Sequence, residues 1–190
     1  MPIPAYDAGG VLPPFLGALP GHSATQTPYR ASIEELVHRF GVSDVRNRYL
    51  RGLLELRAEL RALGVTSGFQ WIDGSFVEDK EARGLVPGDI DIVTVFDRPV
   101  GVGDNAAWLA HARPRAVLFD PAYCKATFNC EAFYIDLGNN AQAIAQQSAF
   151  WFGLFSHQRS TFRWKGIVEV NLGPDPIDQA ASDELTRRGF

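Results

Sequence analysis

Cysteine is scarce in this 190-residue sequence: Cys124 and Cys130 are the only two. That is too few for a disulfide framework and is what a reduced, cytoplasmic protein carries. With His111 and His157 they lack zinc-ligand spacing, so no zinc site is expected. An excess of basic charge is missing too: 18 Lys and Arg against 22 Asp and Glu leave a formal net charge of -4 and a pI near 5.5. No overall basic field advertises nucleic acid, which leaves a local groove as the only open route to it. No apolar run approaches a membrane span, and the proline-rich start lacks the apolar core of a signal peptide, so no membrane partner is expected. There is no Gly-x-x-x-x-Gly-Lys-Ser/Thr loop and no Gly-x-Ser-x-Gly elbow, which leaves P-loop and serine-hydrolase chemistry without support. Repeats and low-complexity segments are absent. What remains, 46% hydrophobic and 21% charged residues, is ordinary for one globular domain spanning residues 1–190.

Along the chain, residues 1–30 hold many prolines and glycines and a polar run at 22–27. They are expected to form an extended arm anchored by Val11, Leu12, Phe15 and Leu16. Ser32-Ile33-Glu34-Glu35 forms a capping box, and Ile33, Leu36, Val37 and Phe40 make the buried stripe of a short helix that stops near Gly41. Ser43 caps a longer helix to about Leu63, with Leu50, Leu53, Leu54, Leu56 and Leu60 at helical spacing. Arg46, Arg48, Arg51, Arg57 and Arg61 on that helix are expected to form a solvated face. Strands are expected at residues 68–73, 89–96, 127–137 and 162–172, and helices at 104–112 and 141–155. Residues 114–125 resist assignment. After Gly173-Pro174 the polar tail, 173–190, is expected to be mobile. The implied fold is α/β (α+β): a mixed sheet with helices mainly on one face, leaving the other open to a substrate.

The chemistry gathers in Trp71-Ile72-Asp73-Gly74-Ser75-Phe76 and Pro87-Gly88-Asp89-Ile90-Asp91-Ile92-Val93. On a strand, Asp89 and Asp91 point to one face and Ile90 and Ile92 to the other. Two like charges side by side are eased by a cation, and hard ions such as Mg²⁺ take carboxylate oxygens together with substrate phosphates. Gly74 permits close backbone approach, and the free N–H groups that begin the element at Ser75 can meet a phosphate.

Gly74-Ser75, a spacer, then Asp89-Ile90-Asp91-Ile92 resembles the signature of the DNA polymerase β-type nucleotidyltransferase superfamily. Asp73 departs from it, since a hydrophobic residue usually precedes the glycine. The Gly-Val-Leu-Pro-Pro opening at 10–14, the Asp-Gly-Ser-Phe core and Trp-Lys-Gly-Ile at 164–167 are similar to a small, poorly characterised bacterial branch of that superfamily, of the minimal, antitoxin-like kind. The resemblance implies a nucleotidyltransferase core with Asp89 and Asp91 as catalytic metal ligands for Mg²⁺ (or Mn²⁺). It implies a nucleoside triphosphate substrate, ATP above the others, with its phosphates seated by Gly74 and Ser75. Two-metal transfer usually uses a third carboxylate on a neighbouring strand. Glu131 and Asp136 have opposite parity, so a regular strand admits one of them. The superfamily places this acid early in its strand, which favours Glu131 and leaves Asp136 as the alternative.

Lys80, Arg83, Arg159 and Lys165 are candidates to touch the triphosphate, and Arg159 and Lys165 carry more weight because they flank the late motif. The implied activity is transfer of a nucleoside monophosphate to a hydroxyl of a protein, RNA or small molecule. Family analogy adds a toxin–antitoxin setting with a toxin-like partner protein. The alternative is a binding module that keeps the fold and neutralises a partner by contact. An aminoglycoside-type resistance transferase would need a second helical domain, for which the chain is too short.

Overall fold

Five short segments pair into one mixed sheet in the computed structural model, which describes residues 3–20, 25–159 and 161–188. They are β1 (Tyr29–Ala31), β2 (Gly68–Asp73), β3 (Ile90–Phe96), β4 (Cys130–Asp136) and β5 (Val168–Asn171), in the spatial order β1-β5-β2-β3-β4. β2 runs antiparallel to both β3 and β5, whereas β3 with β4 and β1 with β5 are parallel. Parallel neighbours need a long crossover. Between β3 and β4 it is supplied by α3 (Asn105–Ala112), a 3-10 stretch (Arg113–Phe119) and α4 (Pro121–Phe128).

The helices start where short polar side chains can cap them. Ser32 accepts from Glu35 N at 3.0 Å, and Glu35 Oε2 accepts from Ser32 N at 2.7 Å, opening α1 (Ile33–Phe40). Ser43 caps α2 (Asp44–Ala62), Asp104 caps α3, and Asp120 caps α4 with Pro121 in its first turn. Asn140 caps α5 (Ala141–Phe155). Each cap satisfies one of the amide donors that a helix start leaves free. No helix among the described residues is long and apolar enough to cross a membrane.

Strand parity divides the interior in two. Ile72, Ile90, Ile92, Phe96, Ala132, Val168 and Val170 join one large core with residues of α1, α2, α3, α4 and α6 (Asp175–Arg187). The opposite face carries Trp71, Val93, Val95, Ile135 and Ile167, covered by Ile144, Trp151, Phe152 and Phe155 of α5 alone. The protein is thus α+β with a mixed sheet and its helices mainly on one face, and the other face is left open beyond the end of α5.

Several expectations are corrected. The strand placed at 127–137 starts only at Cys130, because α4 occupies 121–128 and Asn129, at φ 56°, turns the chain in the left-handed region. The strand placed at 162–172 starts at Val168. Within the described residues the tail forms α6, which buries Asp178, Ala181 and Leu185. Arg46 and Arg57 are not on a solvated face; each is 1% exposed. Of the polar run at 22–27, residues 22–24 lie outside the described residues. Among the described residues of the arm Val11 and Leu12 are buried as expected, and its end adds β1 to the sheet edge.

Candidate active site

The open face ends in a row of carboxylates. In the strand register Asp73 pairs with Asp91, and Asp91 pairs with Glu131, so three neighbouring strands set three acids abreast on one face. Asp89 precedes β3 by one residue and has the same parity. Together they border a cavity of about 950 Å³, at the upper end of the roughly 300–1,000 Å³ of small-molecule sites.

The turn after β2 is fixed from three sides. Gly74 has φ +76°, and a Cβ there would fall 1.7 Å from Asp91 Oδ2. No side chain fits, so the glycine is what lets the turn pass directly over the acid. Ser75 Oγ accepts from Gly88 N at 3.2 Å, tying the Gly-Ser turn to the Pro-Gly turn that delivers Asp89. From beneath, the buried Arg46 guanidinium donates to the carbonyls of Phe76 and Glu78 and pairs with Glu81 at 2.6 Å. From outside, Val11 of the arm bridges to Glu78, and Asp79 N donates to Gly10 O at 2.8 Å.

Lys165 comes to the same turn. Its ammonium donates to Gly74 O at 3.1 Å and lies 3.0 Å from Asp73 Oδ2 and 3.5 Å from Glu78 Oε1. It is 2% exposed. The ammonium of Lys165, expected at a triphosphate, is engaged here with the Gly74 turn and its two flanking acids. Arg159, also on the cavity wall, is exposed and has no hydrogen-bond or ion-pair partner among the described residues, so it is the cation left free for an anion. Lys80 borders the cavity, and Arg83 is paired with Glu78 at 3.4 Å. His157 also lies on the wall, hydrogen-bonded through Nδ1 to Gly153 O at 2.9 Å.

Asp136 is elsewhere. It lies at the far end of β4 and takes a bidentate grip on Arg98 at 2.8–3.0 Å. Glu131 alone of the two candidates for third acid stands beside Asp91.

Burial and crowding mark the acids electrically. Burial pushes Asp73 from 3.8 up to about 7, against the opposing pull of Lys165. Asp91 is pushed up to about 6, by burial first and then by the charges of Asp89 and Glu131. Among the described residues no three acid, histidine or cysteine side chains converge in a ready-made metal cluster. Ammonium groups stand among the carboxylates instead. Lys125 of α4 lies 2.6 Å from Asp89 Oδ2 and 3.4 Å from Glu131 Oε2, and its contact with Asp89 raises its own pKa. Asp73 Oδ1, however, is buried with no hydrogen-bond partner. An uncompensated carboxylate oxygen is costly, and a divalent cation held by Asp89, Asp91 and Glu131 would ease the crowding of charge that raises Asp91. The donor set, all hard oxygens, fits Mg²⁺ or Mn²⁺.

Residues 4–171 match a family of unknown function (DUF6932). The chain belongs to DUF6932. No curated protein and no solved structure matches it. The DUF6932 match runs from the arm to the last residue of β5 and takes in every residue of the acidic row, Lys80, Lys125, Lys165 and Arg159, while α6 lies beyond it.

Sequence reasoning missed Lys125 and Glu78, and treated Asp73 only as a departure from a pattern. For Asp73 a signal existed: it closes a strand whose other same-parity residues are Trp71 and Phe69, so it shares their face. For Lys125 none did, because its helix was unassigned.

Proposed function

We propose that this DUF6932 chain is a Mg²⁺-dependent nucleotidyltransferase that transfers a nucleoside monophosphate from a nucleoside triphosphate, ATP foremost, to a hydroxyl on a protein, RNA or small molecule. One observation carries the reading: Asp73, Asp91 and Glu131 lie abreast on three strands, with Asp89 one residue before β3, beneath a glycine turn that no side chain could replace. Asp89, Asp91 and Glu131 would hold the metal, and Asp73 lines the same cavity. When bound, the ion supplies Lewis acidity and charge neutralisation at the transferring phosphate. The chain's own part is positioning, as in phosphoryl transfer generally. The backbone at Gly74 and Ser75 seats the phosphates, and Arg159 offers an unpaired guanidinium to them. The acceptor oxygen forms a bond to the α-phosphorus as the bond to pyrophosphate breaks, and the hydroxyl proton passes to a carboxylate of the row.

Lys125 favours a second reading. Its ammonium already lies against Asp89 and Glu131 and offsets one of their two charges, so a chain that never takes a metal would still be a stable module able to bind a toxin-like partner by contact. Calorimetry with ATP, GTP, CTP and UTP, with and without Mg²⁺, separates the two. The transferase binds in a metal-dependent way and loses at least about tenfold in affinity, ~1.4 kcal/mol, in Asp91→Asn and in Glu131→Gln, while Asp136→Asn keeps wild-type binding. A folded wild type that binds no nucleotide would point to the contact module.

A further inference from the structure

The cavity has two unlike walls. One is the row of acids under the glycine turn. The other is apolar, formed by Trp151, Leu154 and Phe155 of α5, Phe133 of β4, and Phe162 from the loop beyond α5. α5 has no charged side chain in its 15 residues. Trp151 stacks on Phe133 with ring centroids 4.2 Å apart and planes at 33°, which fixes an indole ring in this wall.

Phe162 is held quite differently. It is 81% exposed and touches no other ring among the described residues. Its φ is +55°, in the left-handed region that a bulky side chain rarely enters. The turn that imposes this conformation is braced. Phe162 N donates to Gln158 O at 2.8 Å, and Thr161 Oγ1 donates to Gln158 Oε1 at 2.6 Å. Gln158 Nε2 donates in turn to Glu78 Oε2 at 2.8 Å, the carboxylate that also faces Lys165. The fold therefore maintains backbone strain and an exposed aromatic ring at one place, at the cavity's edge. Strain persists where its surroundings over-determine it, and such places cluster at ligand clamps.

We propose that Phe162, with the Trp151 wall, is a stacking subsite for the nucleobase of the triphosphate; this rests on reading the acidic row as the phosphate and metal end. A base presents two flat apolar faces and suits a wall of rings without charges. Stacking is tolerant of base identity and grows with ring area, so the subsite accepts every base and favours purines. The link from Phe162 through Gln158 and Glu78 to Lys165 joins the two ends, so the ring is placed relative to the phosphate turn.

Titration calorimetry of the whole chain with Mg²⁺, using ATP, UTP and inorganic tripolyphosphate, tests this. In the wild type, ATP is expected to bind about tenfold or more tighter than tripolyphosphate, with UTP between them. Phe162→Ala removes most of the ATP advantage and leaves tripolyphosphate unchanged, and Phe162→Tyr restores it. Equal wild-type affinities for ATP and tripolyphosphate, or an ATP advantage that survives Phe162→Ala, overturn the subsite while sparing the phosphate reading. Failure of both ligands to bind the folded wild type overturns the phosphate reading and the subsite with it.

Discussion

Two buried cations sit on opposite faces of the same sheet, and their carboxylate partners are treated very differently. On the helix face, Arg57 donates to both oxygens of Asp178 at 2.7 and 2.9 Å, to Gln70 Oε1 at 2.8 Å and to Asn171 O at 3.0 Å. Gln70 passes the network on to Thr94 at 3.1 Å, and Arg61 adds a further bond to Asp178. Every oxygen of that carboxylate is used. On the cavity face, Lys165 holds Asp73 by one oxygen and leaves the other partnerless, and the acid is pushed up to about 7. A closed network of this kind locks the fold. An acid held by one oxygen and pushed up by burial on a cavity wall is a candidate binding site.

The largest effect should come from breaking the closed network. Arg57→Ala leaves Asp178 to Arg61 alone and takes the donor from Gln70 Oε1 and Asn171 O, and should lower unfolding free energy in urea by about 3 kcal/mol or more. Asp73→Asn removes a charge that burial already disfavours and should change stability by about 1 kcal/mol or less, while impairing nucleotide binding. Equal losses in the two variants would erase the distinction between a lock and a site. A middle effect belongs to Gly74→Ala, which combines the +76° backbone with a collision against Asp91. It should cost about 1–3 kcal/mol in stability and abolish binding of Mg-ATP, read in the same titrations.

The smallest and sharpest effect is in pH. Folding raises Asp91 from 3.8 to about 6. Between those values the native state keeps a proton that the unfolded chain has lost, so metal-free stability falls as pH rises through the window. Asp91→Asn lacks this dependence. Its Tm advantage over the wild type should widen from pH 4 to pH 7 without metal and shrink when Mg²⁺ is added. A gap that stays flat across that range would contradict the raised acid.

Much of this was legible residue by residue. β2 and α5 occupy the expected residues because alternation in one and a capped apolar run in the other are local signals. Parity limited the third acid to one of Glu131 and Asp136, and the superfamily resemblance, which places that acid early in its strand, favoured Glu131. What escaped depends on distant partners. Arg46 and Arg57 sit among leucines at ordinary surface spacing, and only Glu81 and Asp178, far along the chain, make their burial tolerable. α6 looks polar because its buried side is narrow, with Asp178 among its inward residues. β1 has three residues and borrows its pairing from β5. Lys165 drew notice for its place beside the late motif; its three carbonyl and carboxylate partners lie about ninety positions earlier in the chain, beyond the reach of local pattern reading.

The strand order β1-β5-β2-β3-β4 places the last-made strand between two that are made early. Gly166 N donates to Leu12 O at 2.7 Å and Lys165 reaches back to Gly74, so the glycine turn is braced by residues from both ends of the chain. Such long-range pairings form late, after the loop entropy they close has been overcome. A nascent chain halted before Lys165 therefore already holds every carboxylate of the row, yet lacks the strand and the ammonium that brace the glycine turn over them: the topology itself separates in time the making of the acids and the closing of the turn above them.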